Sequence, residues 1–220
     1  DYYMWRWQGA AIRTDLLAEV GLEMPTTIAE LENVMQVFKE TYPDMIPAVG
    51  LPWFSDPFLQ GAVSGVASQM TEWALSPEGK VVPSMSLPEY KNMIALYTKW
   101  VENGWLDPEW LSGSDDSQSK LWVSGRTGIY FCDPHRALDW TWAALKANFP
   151  EATGDFIPVL KAEDGKAHFP LDYGVGRIVW VTQMSKNPEA VVQFFDKMVS
   201  DLDFYFIAEN GIPGEHWIDN

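Results

Sequence analysis

The chain has 220 residues, of which 47% are hydrophobic and 21% charged, enough for one large or two small folded domains. Its formal net charge of -16 excludes the broad basic surface that nucleic-acid phosphates require. The single cysteine, Cys132, excludes an internal disulfide and a cysteine-rich metal site, and no stretch of about 18 uninterrupted apolar residues predicts a membrane span.

The first third of the chain predicts a strand followed by helices. Residues 1–7 are typical of an interior strand, and residues 11–20 of a helix that ends at Gly21. Thr27 and Glu30 form a capping-box pattern ahead of a second helix. The apolar residues of that helix recur at helical spacing: Ile28, Leu31, Val34, Met35 and Phe38.

The middle of the chain predicts two helices around a short strand. The pair Asp56–Pro57 is typical of a helix start, here for a helix to about residue 70, and residues 81–85 are typical of a strand. Ser86 and Glu89 form a second capping-box pattern. The helix that follows ends at residues 103–104 and has one apolar face: Tyr90, Met93, Ile94, Tyr97, Trp100 and Val101.

The last part of the chain alternates strands and helices. A short helix ends at Gly125, a strand covers residues 127–131, and Asp133 with Pro134 opens a helix to about residue 148. Further predicted elements are a strand at 155–160, a hairpin turn at 164–165, a buried strand at 173–182 and a helix after residues 187–188. The mixture of helices and interspersed strands predicts an α/β fold.

Five segments carry a family resemblance. Residues 12–27 contain an Arg-x-Asp helix start and a Pro-Thr-Thr turn, and residues 102–109 read ENGWLDPE. Residues 124–128 read SGRTG, residues 185–190 SKNPEA, and residues 211–217 GIPGEHW. Taken in this order, the segments resemble the family 1 extracellular solute-binding proteins, in particular the lipoprotein subgroup.

This resemblance implies an α/β, periplasmic-binding-protein-like (type II) fold of two lobes joined by hinge strands. It also implies a fragment of a longer chain. Residues 1–172 would be mainly the C-terminal lobe, and residues 173–220 the returning strand and helix of the first lobe. The expected location is extracytoplasmic, at the cell surface or in the periplasm.

The implied activity is substrate capture for an ABC importer without catalysis, catalytic residues or a cofactor. A carbohydrate ligand closes the lobes, and permease subunits recognise the closed form. We expect a monomer that meets the membrane only through a lipid anchor outside these residues, and no nucleic-acid partner.

The aromatic content points to the same ligand class, since the sequence has 12 tryptophans. Sugars offer apolar C–H faces and hydroxyls, which aromatic rings and nearby polar side chains match. Candidate ligand-binding residues therefore stand at loops and helix starts beside both kinds of side chain. They are Trp53, Asp56, Asp133, His135, Arg136, Trp140 and Tyr173.

Each candidate also has a purely structural interpretation. Trp53 can pack in a loop, Asp56 can be a helix cap, and one of Trp140 and Trp142 is expected in the core. Trp5, Arg6 and Trp7 are weaker cleft candidates. The sequence favours no metal site, and the pairs at 115–116 and 163–164 are predicted to be solvated loops, with calcium left open.

The position of Arg136 in the first turn of a predicted helix bears on the charge of the ligand. A cation in the first turn of a helix opposes the helix dipole, so an anion nearby is expected. Asp133 is the simpler candidate for that anion, and the carboxylate of a uronic acid is the alternative.

Three functional hypotheses remain open at this stage. The first is the importer receptor. The second is a glycoside hydrolase or polysaccharide lyase fragment, because an acidic, aromatic cleft also fits that chemistry. The third is a lectin-like surface module without a transporter. No phosphate loop or dinucleotide fingerprint is present in the sequence.

Overall fold

The computed structural model describes residues 9–50, 58–63, 73–76, 78–133, 136–168 and 179–218. The chain divides into two compact units, Asp1–Gly174 and Val175–Asn220. The labelled elements of the first unit are β1 (Gly9–Arg13), α1 (Thr14–Val20), α2 (Ile28–Thr41), β2 (Ile46–Gly50), β3 (Trp73–Leu75), β4 (Val81–Pro83), α3 (Pro88–Glu102), α4 (Asp115–Val123), β5 (Thr127–Cys132), α5 (Trp142–Asn148) and β6 (Gly154–Phe156). Those of the second unit are α6 (Pro188–Ser200) and α7 (Leu202–Asn210).

The first unit is organised on a four-stranded sheet in the order β2-β5-β1-β6. β2 and β5 run parallel, and β1 runs antiparallel to both β5 and β6. Gly9 of β1 is opposite Cys132 of β5, and Gly50 of β2 is opposite Phe131. The carboxyl ends of β2 and β5 and the start of β1 therefore share one edge of the sheet.

Residues 11–13 belong to β1, so the prediction of a helix from residue 11 is wrong for these three. Ala11 and Ile12 pair with Tyr130 and Ile129 of β5. Tertiary pairing overrides the local helical pattern here, because the strand buries both of its faces. The predicted end of the helix is confirmed, since Gly21 adopts a left-handed φ of 69° and caps α1.

α2 follows the sequence pattern closely. The Thr27 side chain accepts a hydrogen bond from the Glu30 amide at 3.2 Å, which is one half of the predicted capping box. The reciprocal half differs, because the Glu30 carboxylate accepts from the amide of Thr26 at 2.7 Å. The buried residues of α2 are those at helical spacing: Leu31, Val34, Met35 and Phe38.

α3 starts differently from the prediction. It begins at Pro88, and its N-cap residue Leu87 makes no side-chain cap hydrogen bond. The Ser86 hydroxyl donates instead to the carbonyl oxygen of Pro83, within the 3-10 turn Ser84–Ser86. Of the predicted apolar face, Met93, Tyr97 and Trp100 are buried, whereas Ile94 is exposed.

The core has a layer on each face of the central sheet. Successive residues of β5 contribute to opposite layers, with Ile129 and Phe131 in one and Tyr130 and Cys132 in the other. α1, α2 and α3 cover the first layer. α4 and α5 contribute Trp122 and Leu145 to the second. A strand buried on both faces is typical of α/β proteins with helices on both sides of the sheet.

The end of the first unit contains one predicted strand that is shorter than expected and one predicted turn that is confirmed. β6 ends at Phe156 rather than residue 160, although Ile157 and Leu160 are buried beyond it. The predicted turn at Asp164–Gly165 is confirmed, with Gly165 at φ 76° and the amide of Ala162 bonded to the Lys166 carbonyl.

The second unit consists of α6 and α7. None of its described residues, 179–218, is buried. The predicted buried strand at 173–182 is wrong over residues 179–182, where the chain has no strand and Trp180 is 79% exposed. The rest of that prediction falls outside the described residues. No helix in the described parts of the chain has the length and apolar character needed to cross a bilayer.

Candidate functional site

The candidate site is the sheet edge where β2 and β5 end and β1 begins. In open α/β sheets, ligands bind outside the carboxyl ends of the strands. Three chain segments join the sheet at this edge: the one before Gly9, the one after Gly50 and the one after Cys132. Three distant parts of the sequence therefore have strand ends at one edge of the sheet.

The structure describes three of the seven predicted ligand-binding residues. Trp53, Asp56, His135 and Tyr173 lie outside the described residues, as do the weaker candidates Trp5, Arg6 and Trp7. The described three are Asp133, Arg136 and Trp140, which follow one another directly after β5.

Asp133 is the first residue after β5 and is 8% exposed. Its backbone carbonyl accepts a hydrogen bond from the amide of Arg136 at 2.9 Å. Its side chain is buried beside the thiol of Cys132. Burial raises the pKa of that thiol, and the negative charge of Asp133 raises it further. The Cys132 thiol is therefore an inert group at this edge.

Arg136 and Trp140 are four residues apart in a turn that is not an ordinary α-helix. Residues Arg136–Trp140 form a π-helical turn in which the Thr141 amide donates to the Arg136 carbonyl at 3.0 Å. The predicted single helix from 133 to 148 is thus wrong over this stretch. Such π turns recur at functional sites, where the wider turn changes the direction of side chains.

Trp140 is a large exposed aromatic side chain beside Arg136. It is 66% exposed, and the Arg136 guanidinium carbon lies 5.7 Å from its ring centroid. Trp142, two residues later, packs instead against the second core layer. The prediction that the two tryptophans divide between surface and core is confirmed, and Trp140 is the exposed one.

Arg136 is paired with a residue that is not among the seven predicted ligand-binding residues. Its Nη2 lies 3.0 Å from Oδ2 of Asp115, in the first turn of α4. The prediction of a loop at 115–116 is wrong because both residues belong to α4, although Asp116 is exposed as predicted. No local pattern signals this pair, because 20 residues separate its members in the sequence and only the packing of α4 on β5 joins them.

α4 also anchors the π turn and the end of β2. Trp122 donates from Nε1 to the Ala137 carbonyl at 3.1 Å. Gln118 accepts from the Gly50 amide at 2.9 Å and donates to Asp107 at 2.9 Å, all in buried surroundings. A glutamine four residues before a buried tryptophan, on the same helix face, is the one sequence signal that could have pointed to this network.

Ser119 of α4 makes the next contact along the helix. Its hydroxyl lies 2.9 Å from that of Tyr130, on the face of β5 that α4 covers. Burial raises the pKa of Tyr130, so its hydroxyl stays protonated at neutral pH. α4 therefore supports both strands that end at the candidate site.

Two open grooves of the first unit, both lined by described residues, lie away from this edge. One of about 580 Å³ is lined by residues that include Lys120, Ser124 and Arg126, and one of about 560 Å³ by residues that include Tyr42 and Arg126. Arg126 directly precedes β5, so both grooves reach the opposite edge of the sheet. Within the described ranges, no group of three or more His, Cys, Asp or Glu side chains could hold a metal ion.

The comparison with protein families identifies the chain. Residues 1–201 match the model of one family, described as Bacterial extracellular solute-binding protein. The chain belongs to this family. The predicted family is thereby confirmed, and so is an extracytoplasmic location, since the family is extracellular.

Two curated members of the family are named for glycans. The chain is 28% identical over 220 aligned positions to the polygalacturonan/rhamnogalacturonan-binding protein YtcQ of Bacillus subtilis, covering 96% of the chain and 43% of that protein. It is 25% identical over 213 positions to the fructooligosaccharide ABC transporter substrate-binding protein FusA of Streptococcus pneumoniae, covering 88% of the chain and 36% of that protein. The chain thus spans less than half the length of these relatives.

A solved structure supports the fold. An HMO-binding, ABC-transporter associated solute-binding protein of Bifidobacterium longum infantis superposes with a TM-score of 0.72 at 21% identity, covering 99% of the chain and 47% of that structure. The predicted α/β, periplasmic-binding-protein-like (type II) fold is confirmed.

Proposed function

We propose that this protein is the extracytoplasmic substrate-binding component of an ABC importer and that it binds a carbohydrate or oligosaccharide. The family supports the role in solute capture. The names of YtcQ and FusA support the ligand class, because both are named for glycans.

The observation that carries the proposal is Trp140 at the carboxyl edge of the sheet. Trp140 is 66% exposed, so one face of a large apolar ring is open to a ligand. The flat ring matches the C–H face of a pyranose or furanose ring. The adjacent guanidinium of Arg136 keeps the ring in place and offers hydrogen-bond donors beside it.

The remaining ligand contacts in this proposal come from residues outside the described ranges. Trp53 and Asp56 follow β2 in the sequence and His135 follows β5, and these two strands end at the same edge of the sheet. Tyr173 precedes the boundary between the two compact units. We propose that these residues complete the aromatic and polar lining of the site.

The proposed mechanism is conformational. The ligand binds between two lobes, closure buries it, and permease subunits recognise the closed form. Residues 1–172 form mainly one lobe in this proposal, and residues 173–220 return to the other. The protein acts as a monomer, is held at the membrane by a lipid anchor, and catalyses no reaction on the sugar.

Product analysis after binding separates this function from that of a hydrolase or lyase. The protein is titrated by calorimetry with fructo-, galacto-, manno- and gluco-oligosaccharides, and each mixture is then chromatographed after prolonged incubation. We expect saturable binding of at least one glycan and recovery of that glycan unchanged. Steady release of shorter sugars that stops when one carboxylate is replaced would refute the receptor function.

A further inference from the structure

The ion pair between Asp115 and Arg136 fixes the charge of the candidate site before any ligand arrives. Oδ2 of Asp115 lies 3.0 Å from Nη2 of Arg136, and the two side chains are 38% and 22% exposed. The guanidinium is the cation nearest to the Trp140 ring among the described residues, at 5.7 Å from the ring centroid. Because a carboxylate already holds it, the positive charge next to Trp140 is largely neutralised.

Among the described residues, further carboxylates lie close to this pair in the sequence. Asp133 and Asp139 lie on the same short stretch as Arg136, directly after β5. On α4, Asp116 is paired at 3.1 Å with Lys120, so that cation is also compensated. The chain as a whole carries a formal charge of -16. An anionic ligand would therefore approach this edge against a negative field.

The hydrogen-bonding capacity of the pair points the same way. Nε of Arg136 and Oδ1 of Asp115 are buried and have no hydrogen-bond partner in the structure. One is a donor and the other an acceptor. Both atoms are closed off from solvent, so neither is available to a ligand carboxylate. A ligand carboxylate would meet a guanidinium whose Nη2 Asp115 already occupies.

We propose that Asp115 is a specificity-determining residue, which neutralises Arg136 so that the Trp140 site takes neutral glycans in preference to uronic-acid glycans. The inference rests on the proposed function and deepens it by naming the ligand class. It also answers the question of the anion near Arg136, which is Asp115 rather than Asp133 or a ligand carboxylate. Asp115 is a positioning residue, since it acts through Arg136.

The test compares matched ligands that differ in one charge. Neutral gluco-, galacto- and manno-trisaccharides and their counterparts with C6 oxidised to a carboxylate are titrated at pH 7 and two salt concentrations. We expect the wild-type protein to bind the neutral member of each recognised pair more tightly. Wild-type preference for the charged member would overturn the inference, while the proposed function would stand.

Substitution of Asp115 gives the second comparison. Asp115→Asn frees the guanidinium, so we expect the ratio of charged-ligand to neutral-ligand affinity to rise about ten- to hundred-fold, because hydrogen bonds between charged partners are strong. The gain should shrink at high salt. It should disappear in the double variant Asp115→Asn with Arg136→Met, since the freed cation is then absent.

Control variants separate the role of Asp115 in specificity from the proposed glycan-binding function. Asp115→Glu keeps the charge, and we expect it to retain the wild-type ratio. Asp115→Ser is the second neutralising variant if the asparagine form is poorly folded. An unchanged ratio in a folded neutralising variant would overturn the inference. Failure of the wild-type protein to bind any glycan of either class would overturn the proposed function itself.

Discussion

Replacing Gln118 with leucine tests how α4 supports the candidate site. The Gln118 amide accepts from the Gly50 amide and donates to the Asp107 carboxylate, each at 2.9 Å. Gln118 is 1% exposed, Asp107 is 6% exposed, and Gly50 is the last described residue of β2. The network therefore joins a helix, a loop and the strand that ends at the site.

The expected cost follows from the two groups that the substitution leaves unpaired. Leucine has nearly the volume of glutamine, so the cavity contribution is small. A buried donor or acceptor without a partner costs about 1–3 kcal/mol. Asp107 keeps a second hydrogen bond, from the Glu109 amide at 3.0 Å, which limits its share of the loss. We expect Gln118→Leu to lower the free energy of unfolding by about 3 kcal/mol.

Urea denaturation followed by circular dichroism measures this loss, and the unfolding midpoint should fall by roughly 1 M or more. The matched control is Gln36→Leu, which removes an exposed glutamine that accepts from Nε1 of Trp105 at 3.0 Å. Water can replace that bond, so we expect the control to lose less than about 1 kcal/mol. Equal losses in the two variants would show that the buried network has little energetic weight, and the reasoning would be refuted.

Three further predictions concern other parts of the first unit. Burial raises the pKa of Asp15, but hydrogen bonding and charge from Arg13 outweigh it and set the pKa below its ordinary 3.8. The ionised Asp15 carboxylate therefore stabilises the folded state above pH 3.8, and this stabilisation is lost as the pH falls through the lowered pKa. In acid titrations, Asp15→Asn should destabilise the protein at pH 7 and much less at about pH 2. In thermal unfolding, Gly61→Ala should destabilise the protein far more than Gly21→Ala. The new Cβ at Gly61 overlaps a backbone carbonyl oxygen, whereas at Gly21 it meets open space and left-handed strain alone costs about 1 kcal/mol. Equal destabilisation by the two variants would contradict this packing. Cys132 is 1% exposed and has a raised pKa, so a thiol reagent at pH 8 should modify it only on unfolding, and rapid labelling of the folded protein would contradict its placement.

Local patterns predicted those parts of the fold in which local and tertiary preferences agree. The apolar face of α2 and the left-handed caps at Gly21 and Gly125 follow directly from residue spacing and glycine placement. The structure of residues 11–13 was not predicted, because they pair with β5 as a strand although their local pattern is helical. The structure of residues 179–182 was also predicted wrongly, because an apolar run indicates a buried strand only where another element covers it.

Some residues of the candidate site could be predicted from the sequence and others could not. Trp140 and Arg136 could be chosen from the sequence because an aromatic residue and a cation follow a strand end. Asp115 and Gln118 could not, because their roles depend on contacts with Arg136 and Gly50 that packing alone creates. The π turn at Arg136–Trp140 was also missed, since it arises from hydrogen bonds that no residue pattern specifies. The predicted ligand roles of the seven site residues stay predictions.

The central claim is that glycans bind on Trp140 at the carboxyl edge of the sheet, and a calorimetric comparison of two aromatic variants tests it most directly. Trp140→Ala removes the ring beside Arg136, and Phe149→Ala removes a ring at the opposite edge that lies 5.4 Å from the Arg13 guanidinium. With the best-bound neutral oligosaccharide, we predict that Trp140→Ala weakens binding about tenfold or more, from lost burial and stacking, and that Phe149→Ala leaves the dissociation constant unchanged. An unchanged dissociation constant in Trp140→Ala, or equal weakening in both variants, would contradict the placement of the site.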